Sequence, residues 1–151
     1  MRFLCRDATE ADLPAIVGLL ADDPLGATRE NASLPLAPSY LSAFRAIQAT
    51  PRQRLIVAEE EGLIVGTIQI VLIPAISRRG SLRGLIEAVR IAARHRGNGR
   101  GEQLVRWAVA ECRAAGCASV QLTSHDSRAD AHRFWKRMGF VPTHVGFKLD
   151  L

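Results

Sequence analysis

Apolar residues along the chain follow two spacings, and the spacing predicts which segments are strands and which are helices. Short apolar runs rich in β-branched residues and bounded by turn residues predict strands. Apolar residues that recur every three or four positions predict helices. The predicted strands cover residues 3–6, 55–58, 63–72, 85–92, 119–123 and 145–149. The predicted helices cover residues 10–21, 40–49, 101–115 and 129–138.

Several element ends carry residues with specific backbone roles. Thr9 is followed three positions later by Asp12, a pairing that caps the N-terminus of a helix. Gly116 and Gly139 follow the last two predicted helices, where glycine readily adopts the left-handed conformation of a C-terminal cap. Three glutamates and a glycine, residues 59–62, predict a solvated hairpin turn between the second and third strands.

The order of these elements predicts an α/β fold built on a mixed sheet (α+β mixed sheet). Strands dominate the first part of the chain, and a strand–helix–strand–helix–strand series completes it. With 151 residues, the chain has the size of a single domain, residues 1–151, and is large enough to bury a substantial core.

Composition narrows the class of protein. The apolar fraction of 48% is ordinary for a globular chain, and Gly66, Thr67 and Gln69 interrupt the longest apolar run, residues 64–75. The first seven residues lack the apolar stretch of a signal peptide. The three cysteines have no metal-ligand spacing. We therefore expect a cytoplasmic protein with reduced thiols, no membrane contact and no metal.

The formal charge of the chain is +5, and nearly all of its cations are arginines. A basic chain suggests nucleic-acid binding. The arginines are nevertheless spread along the chain, and aromatic residues for base stacking make up only 5% of it. A phosphate site with arginines, together with solvated helix faces, accounts for the charge more economically. No nucleic-acid partner is therefore expected.

A glycine-rich segment, residues 96–101 (Arg-Gly-Asn-Gly-Arg-Gly), lies between the predicted strand 85–92 and the third helix. Such a turn points backbone N–H groups outward at the helix N-terminus, whose partial positive charge attracts phosphate. A P-loop needs a lysine after the glycines, and none follows here. A Rossmann turn needs the spacing Gly-x-Gly-x-x-Gly and an acidic residue about twenty positions further on, where this chain has Gln121. Both motifs are therefore excluded. On glycine count alone, a plain strand-to-helix turn is the alternative.

The pattern Arg-x-x-Gly-x-Gly over residues 96–101 resembles the coenzyme A loop of the GNAT superfamily of N-acetyltransferases. Residues 86–89 stand where that family has its central strand, and residues 120–123 where it has the next one. Trp135-x-x-x-Gly139-Phe140 takes the place of a terminal Tyr-x-x-x-Gly-Phe signature. The resemblance is closest over residues 82–147. It implies a mixed, mostly antiparallel sheet of six to seven strands flanked by about four helices.

The chain also resembles, more narrowly, a subgroup of small bacterial acetyltransferases whose acceptors are undefined. The family resemblance implies acetyl-CoA as co-substrate, held by the glycine loop and by the backbone of the central strand. Arg128, where many members have asparagine, could bind a cofactor phosphate or an acidic acceptor, and Trp135 could pack against the pantetheine arm. The other cofactor-binding residues implied are Val89, Arg90, Ile91, Arg96, Gly97, Asn98, Gly99, Arg100 and Gly101.

Glu87 is the first candidate for the base that deprotonates the acceptor amine. On simple strand alternation it shares a face with Leu85, Val89 and Ile91, and desolvation among apolar neighbours would suit a carboxylate that must accept a proton. The resemblance adds to this argument, because family members often carry a glutamate here. An ion pair with a nearby arginine is the alternative. His125 is a second candidate.

Trp135 departs from the family pattern, because members commonly have a tyrosine there, thought to protonate the departing thiolate. An indole N–H donates hydrogen bonds but is no acid. A thiol with a pKa of about 8.5 can leave as thiolate without one. We therefore expect Ser124, Tyr40, water or no acid in this role.

The resemblance implies that the segment from residue 23 to 38 and the helix after it form one wall of the acceptor pocket. Loops on a rigid scaffold commonly carry recognition residues. Solvent contact or loop anchoring is the alternative for each of them. The candidate acceptor-binding residues are Arg29, Glu30, Tyr40 and Ser124.

Together these expectations describe an acetyl-CoA-dependent N-acetyltransferase that acetylates a primary amine of a small molecule or peptide by direct attack in a ternary complex. The alternative is a non-catalytic acyl-CoA-binding or regulatory module on the same fold, suggested by the missing tyrosine. A homodimer is expected by analogy alone. The sequence leaves open the acceptor, the preferred acyl length and the group that protonates the thiolate.

Overall fold

In residues 2–151, which the structure (a computed structural model) describes, five β-strands form one sheet in the order β1-β2-β3-β4-β5. The first four strands pair antiparallel with their neighbours, and β5 pairs in parallel with β4. The strands are β1 (Phe3–Asp7), β2 (Gln53–Glu60), β3 (Leu63–Pro74), β4 (Leu82–Ile91) and β5 (Cys117–Gln121).

Six α-helical segments of the described chain lie between these strands or after the last of them. They are α1 (Leu13–Ala21), α2 (Gly26–Arg29), α3 (Pro38–Gln48), α4 (Ser77–Gly80), α5 (Arg100–Ala114) and α6 (Ala129–Arg137). The four residues of α4 form a left-handed turn, because Arg78 and Arg79 have φ of 53° and 61°. Among the described residues, no helix has the length and apolar character that crossing a bilayer requires.

The predicted mixed α/β fold is confirmed, but two details of the expectation are wrong. The sheet described has five strands, where six to seven were expected, and residues 145–149 form no strand. Val145, Phe147 and Leu149 alternate with other residues as a strand requires. A strand also needs a hydrogen-bonded neighbour, and no part of the described chain pairs with this segment.

The predicted cap at Thr9 and Asp12 forms, and it also joins α1 to the sheet. The Asp12 carboxylate accepts hydrogen bonds from the backbone N–H and the hydroxyl of Thr9, at 2.7 and 3.0 Å. Arg6 on β1 donates two more, at 2.7 and 3.1 Å. The bonds from Arg6, opposed by burial and helped by those from Thr9, lower the pKa of Asp12 to about 2.

Helix α5 covers one face of the sheet, and α1 and α3 cover the other. Buried Ile56 belongs to the core under α5, whereas its neighbour Val57 packs with Ile16 of α1 and Phe44 of α3. Consecutive strand residues point to opposite faces, so the two helical layers lie on opposite sides. The α5 residues buried against the sheet are Leu104, Val105, Ala108 and Cys112.

Strand β4 has two irregularities that shape the candidate site. At Ala88, with φ of 52°, β4 carries one residue more than the facing part of β3, which is a β-bulge. Pairing with β5 ends at Leu85, opposite Gln121, although β4 continues to Ile91. Within the described chain, the β5-facing edge of β4 is therefore open after Leu85.

Candidate active site

The glycine-rich segment forms a tight connection between β4 and α5. Gly97 and Gly99 have φ of 77° and 76°, a left-handed conformation that residues with a side chain rarely adopt. Gly99 is the N-cap of α5, and a hydrogen bond of 3.0 Å runs from the Gln103 N–H to the Gly99 carbonyl. Because the amides of a first helical turn have no intrahelical acceptor, they are available to an anion.

The three glycines of this segment differ in what requires them. A side-chain carbon built on Gly97 or Gly99 meets nothing within 4 Å, so the left-handed backbone alone selects glycine there. The same carbon on Gly101 would contact the ring of Phe134 at 3.6 Å, an ordinary van der Waals distance. The fold therefore tolerates a methyl group at position 101 but not at the other two positions without strain.

Arg96 and Arg100 were both predicted to bind the cofactor. In the structure, their side chains anchor the glycine-rich segment to its surroundings. The Nε of Arg100 donates a hydrogen bond to Glu60 at 3.1 Å, and the Nη2 of Arg100 forms an ion pair with the same carboxylate. Arg96 donates to the carbonyls of Ile91 and Asp22, at 2.9 and 3.1 Å. Both guanidinium groups thus fix the position of the backbone amides between them.

The expectation of a simply solvated turn at residues 59–62 is wrong for Glu60, which is only 5% exposed. Its carboxylate is covered because it binds Arg100 and lies 3.4 Å from the Nδ1 of His95. The hydrogen bond from Arg100, against the opposing effect of burial, lowers the pKa of Glu60. The charged form is therefore the one that holds the glycine-rich segment against β2.

Val89, Arg90 and Ile91, the strand residues predicted to hold the pantetheine arm, lie on the open edge of β4 just before this segment. The Val89 carbonyl already accepts a hydrogen bond of 2.9 Å from the Nη1 of Arg90. The structure therefore brings an unpaired strand edge and a helix N-terminus with free amides to adjoining positions. These are the two backbone features needed to hold an extended arm that ends in a diphosphate.

The expectation that Glu87 is desolvated among apolar residues is wrong. Glu87 is exposed, and the bulge at Ala88 shifts the alternation after it. Val89 and Ile91 consequently pack against the α5 core, on the side of Ile86 and away from Glu87. Among the described residues Glu87 has no ion-pair partner, so the predicted alternative of an arginine pair is also not formed.

Asp23 binds two arginines, one from β4 and one from the start of α6. Its Oδ2 lies 2.7 Å from the Nη1 of Arg128 and 3.3 Å from the Nε of Arg90. Burial lowers the pKa of Arg90, and the charge of Asp23 opposes this effect. The nearby positive charges lower the pKa of Arg90 further; they belong to Arg128, Arg29 and Arg96. Burial alone would raise the pKa of Asp23, but its hydrogen bonds and the two arginines lower it. One carboxylate thus faces an excess of cations.

His125 and Ser124 lie in the loop after β5. The Nδ1 of His125 accepts the Ser127 backbone N–H at 3.2 Å and lies 2.7 Å from the Ser127 hydroxyl. The His125 carbonyl is 2.9 Å from the Nε2 of His132. These contacts give His125 a local role in shaping the loop, and Ser124 is half-buried beside it.

Glu30 and Tyr40 bind each other and close the loop between α2 and α3. The Tyr40 hydroxyl donates to Glu30 at 2.8 Å and accepts the Asn31 backbone N–H at 3.0 Å. Both residues therefore anchor the loop, which was the alternative to acceptor binding. Arg29 is exposed, and its charge acts on Arg90.

Trp135 belongs to an aromatic cluster formed by α6 and the residues just after it. Its ring meets Phe134 and Phe140 edge-on, with centroids 4.9 and 5.4 Å away. Phe134 also lies beside Gly101, which places it at the N-terminus of α5. Sequence reasoning missed Phe134 and Asp23 as site residues. Phe134 could have been found from its helical spacing on α6. Asp23 could not, because no local pattern links it to Arg90 and Arg128, which lie 67 and 105 positions away.

Cys5, Cys112 and Cys117 are free. Burial raises the pKa of Cys5 and of Cys112 to about 11, so both remain thiols at neutral pH. Within the described residues, no group of three or more histidine, cysteine, aspartate or glutamate side chains could hold a metal ion.

Known proteins resemble this chain in sequence and in fold. An aminoalkylphosphonate N-acetyltransferase of Salmonella typhimurium (strain LT2) is 29% identical over 109 residues, 72% of this chain and 70% of that one. A solved structure described as a transcriptional regulator, from Bacillus halodurans C-125, is 41% identical, with a TM-score of 0.96 over 99% of this chain and 100% of that chain.

A further structure, a putative acetyltransferase from Agrobacterium tumefaciens str. C58, is 28% identical, with a TM-score of 0.82 over 98% of this chain and 99% of that one. The model of the Acetyltransferase (GNAT) family matches residues 20–140, which include the glycine-rich segment, the open edge of β4 and the Asp23 cluster. The resemblance seen in the sequence is thereby confirmed: the chain belongs to the GNAT family of acetyltransferases and is an N-acetyltransferase.

Proposed function

We propose that this enzyme transfers the acetyl group of acetyl-CoA directly to a primary amine of a small molecule within a ternary complex. The observation that supports this most is the open edge of β4 from Ile86 to Ile91, which leads straight to the free amides at the N-terminus of α5. Together they offer backbone donors for both the pantetheine arm and the diphosphate. Bound coenzyme supplies the activated thioester, and the protein supplies its orientation.

In this proposal the bulge at Ala88 gives β4 its catalytic arrangement. It leaves an unpaired backbone next to Glu87, where an N–H can polarise the thioester carbonyl and stabilise the oxyanion. Glu87 takes the proton of the attacking amine, directly or through water. Its exposure and lack of a cationic partner leave its oxygens free for that task. His125 is the less favoured base, because its Nδ1 is engaged with Ser127.

The acceptor that the site favours carries an acidic group. Asp23 neutralises only part of the charge of Arg90 and Arg128, while Arg29 and Arg96 add to the field. The Nε of Arg90 is buried and makes no hydrogen bond of good geometry in the structure. A phosphonate, phosphate or carboxylate would supply the missing acceptors by charge-assisted hydrogen bonds. The aminoalkylphosphonate enzyme of Salmonella typhimurium, as a relative, supports this class.

Two amines of equal length test the acceptor class. Release of coenzyme A thiol is measured with 2-aminoethylphosphonate and with propylamine, and we expect roughly a 10- to 100-fold preference in kcat/KM for the phosphonate. R90Q and R128Q should remove most of that preference. R106Q is the matched control, because Arg106 lies on the exposed side of α5 and pairs with Glu102.

Binding of acetyl-CoA and of 3′-dephospho-acetyl-CoA separates an acceptor anion from a cofactor phosphate. If R90Q and R128Q weaken the binding of acetyl-CoA, with or without an equal effect on the 3′-dephospho form, and spare the amine preference, the arginines serve the diphosphate or the 3′-phosphate of the coenzyme and the acceptor proposal is wrong. Coenzyme binding without turnover of any amine in a broad panel would contradict the proposed reaction and favour a regulatory module, the role that the name of the Bacillus halodurans relative describes.

A further inference from the structure

Gln69 on β3 lies directly opposite Glu87, the residue of β4 just before the bulge. The register places Leu55, Gln69 and Glu87 in one row across β2, β3 and β4. Residues opposite each other in an antiparallel pair share a face, with Cβ atoms about 4.5–5.5 Å apart. Leu55 packs against the core under α1 and α3, so this row is on the face away from α5. Gln69 therefore stands between that core and the exposed carboxylate.

The side chain of Gln69 is held from the β2 side of the row. Its Nε2 donates a hydrogen bond of 3.0 Å to the Oε1 of Gln53 on β2. An amide nitrogen carries two hydrogens, and within residues 2–151 the second hydrogen of Gln69 has no acceptor. Gln69 is half-buried. It thus offers a fixed donor with one unused hydrogen, next to Glu87.

Glu87 itself lacks a partner that would fix its position. It is exposed, and in the described part of the chain no hydrogen bond or ion pair restrains its carboxylate. A general base must lie within hydrogen-bond reach of the proton that it takes. An arginine could restrain the carboxylate, but its positive charge would lower the pKa of the glutamate and weaken the base. A neutral amide restrains it without adding a charge.

We propose that Gln69 is a positioning residue for the acetyl transfer, because its second Nε2 hydrogen binds the Glu87 carboxylate and aims it at the acceptor amine. Gln53 orients the amide of Gln69 from the other side. The three polar side chains then form a hydrogen-bonded chain across three strands, from Gln53 through Gln69 to Glu87. This inference rests on the proposed role of Glu87 as the base, since Gln69 acts through that carboxylate.

A double-mutant cycle on the full-length enzyme tests this proposal, with the fastest acceptor amine as substrate. Q69L removes the amide at similar side-chain size, and kcat should fall roughly 10- to 100-fold, because a misplaced base reacts slowly. The affinity for acetyl-CoA should not change. In the E87Q background, Q69L should change kcat by less than about two-fold, since no base remains to be positioned. Q48L, at the exposed end of α3, is the matched control and should keep the wild-type kcat.

The Q69E variant adds a readout that a purely structural role would not move. A second carboxylate opposite Glu87 disfavours the charged form of the base, so the acid limb of the pH profile of kcat should move to higher pH by roughly one unit. Circular dichroism checks that both Gln69 variants are folded.

Three results would overturn the positioning role: a wild-type kcat for Q69L, an equal loss from Q69L in both backgrounds, or an unshifted acid limb in Q69E. If E87Q is slow in the same assays, Glu87 remains the base and only this inference fails. Full activity of E87Q would instead remove the proposed base, and the role of Gln69 with it.

Discussion

At the scale of single residues, the environment of Glu87 is set by the backbone next to it. The bulge at Ala88 inserts one residue into β4 and turns Val89 and Ile91 toward the α5 core. Glu87 stays on the open side, exposed and without a cationic partner among the described residues. A carboxylate that is neither buried nor paired can exchange protons with a bound amine or with water, which suits a general base.

The E87Q variant tests this role. We expect kcat to fall about 10²- to 10⁴-fold, the usual contribution of a positioned base, because the amide cannot accept the proton. The affinity for acetyl-CoA should not change, since the coenzyme is held by backbone groups in the proposed complex. Steady-state kinetics and calorimetric titration measure the two effects.

E61Q is the matched control for that measurement. Glu61 is exposed in the turn between β2 and β3 and makes no ion pair in the described chain, so its substitution should leave kcat unchanged. Full activity of E87Q with every accepted amine would remove Glu87 from the mechanism and return His125 to consideration.

At the scale of elements, the connection from β4 to α5 combines a fixed backbone with side-chain anchors. Gly97 and Gly99 set the left-handed turns, while Arg96 and Arg100 hold the segment to Asp22 and Glu60. Rigid amides lose little entropy when they bind an anion, which makes the connection preorganised. Strain from a side chain at Gly99 should therefore affect folding and coenzyme binding together.

Gly99→Ala measures that coupling, with Gly116→Ala as its control. Both glycines have left-handed φ, 76° and 90°, and both have open space where the methyl group would go. Each substitution should lower the free energy of unfolding by roughly 1–2 kcal/mol. Only Gly99→Ala should weaken acetyl-CoA binding, because Gly116 lies at the opposite end of α5. Equal affinities in the two variants would count against the anion site.

At the scale of the whole molecule, ion pairs between distant segments join the layers. Arg6 and Asp12 connect the edge strand β1 to the start of α1, and Arg128 and Asp23 connect α6 to the end of α1. Such pairs are worth more when they are shielded from water, and the Asp12 side chain is only 10% exposed. The protonation of Asp12 should therefore be visible in the stability of the entire fold.

D12N should be less stable than the wild type at pH 7 by about 2 kcal/mol, from a shift of nearly two pKa units. The folded-state pKa lies below the unfolded value, so this contribution is complete above about pH 4 and is lost as the pH falls toward 2. Urea unfolding at pH 7 and at pH 3 measures the difference in the free energy of unfolding between D12N and the wild type, which should be smaller at pH 3. D126N, at a fully exposed site, should match the wild type at both.

The sequence by itself determined the order of the elements, the glycine turn before α5 and the family, because these depend on local spacing and on residues adjacent in the chain. Gly99 had to be a turn residue, and Leu104, Ala108 and Cys112 had to face a core, wherever they lay in space. Only the tertiary structure decided which carboxylates meet which arginines, as with Asp23, Glu60 and Asp12. It also decided which face Glu87 takes after the bulge and whether residues 145–149 find a neighbour, because pairing and burial are made by segments that are distant along the chain.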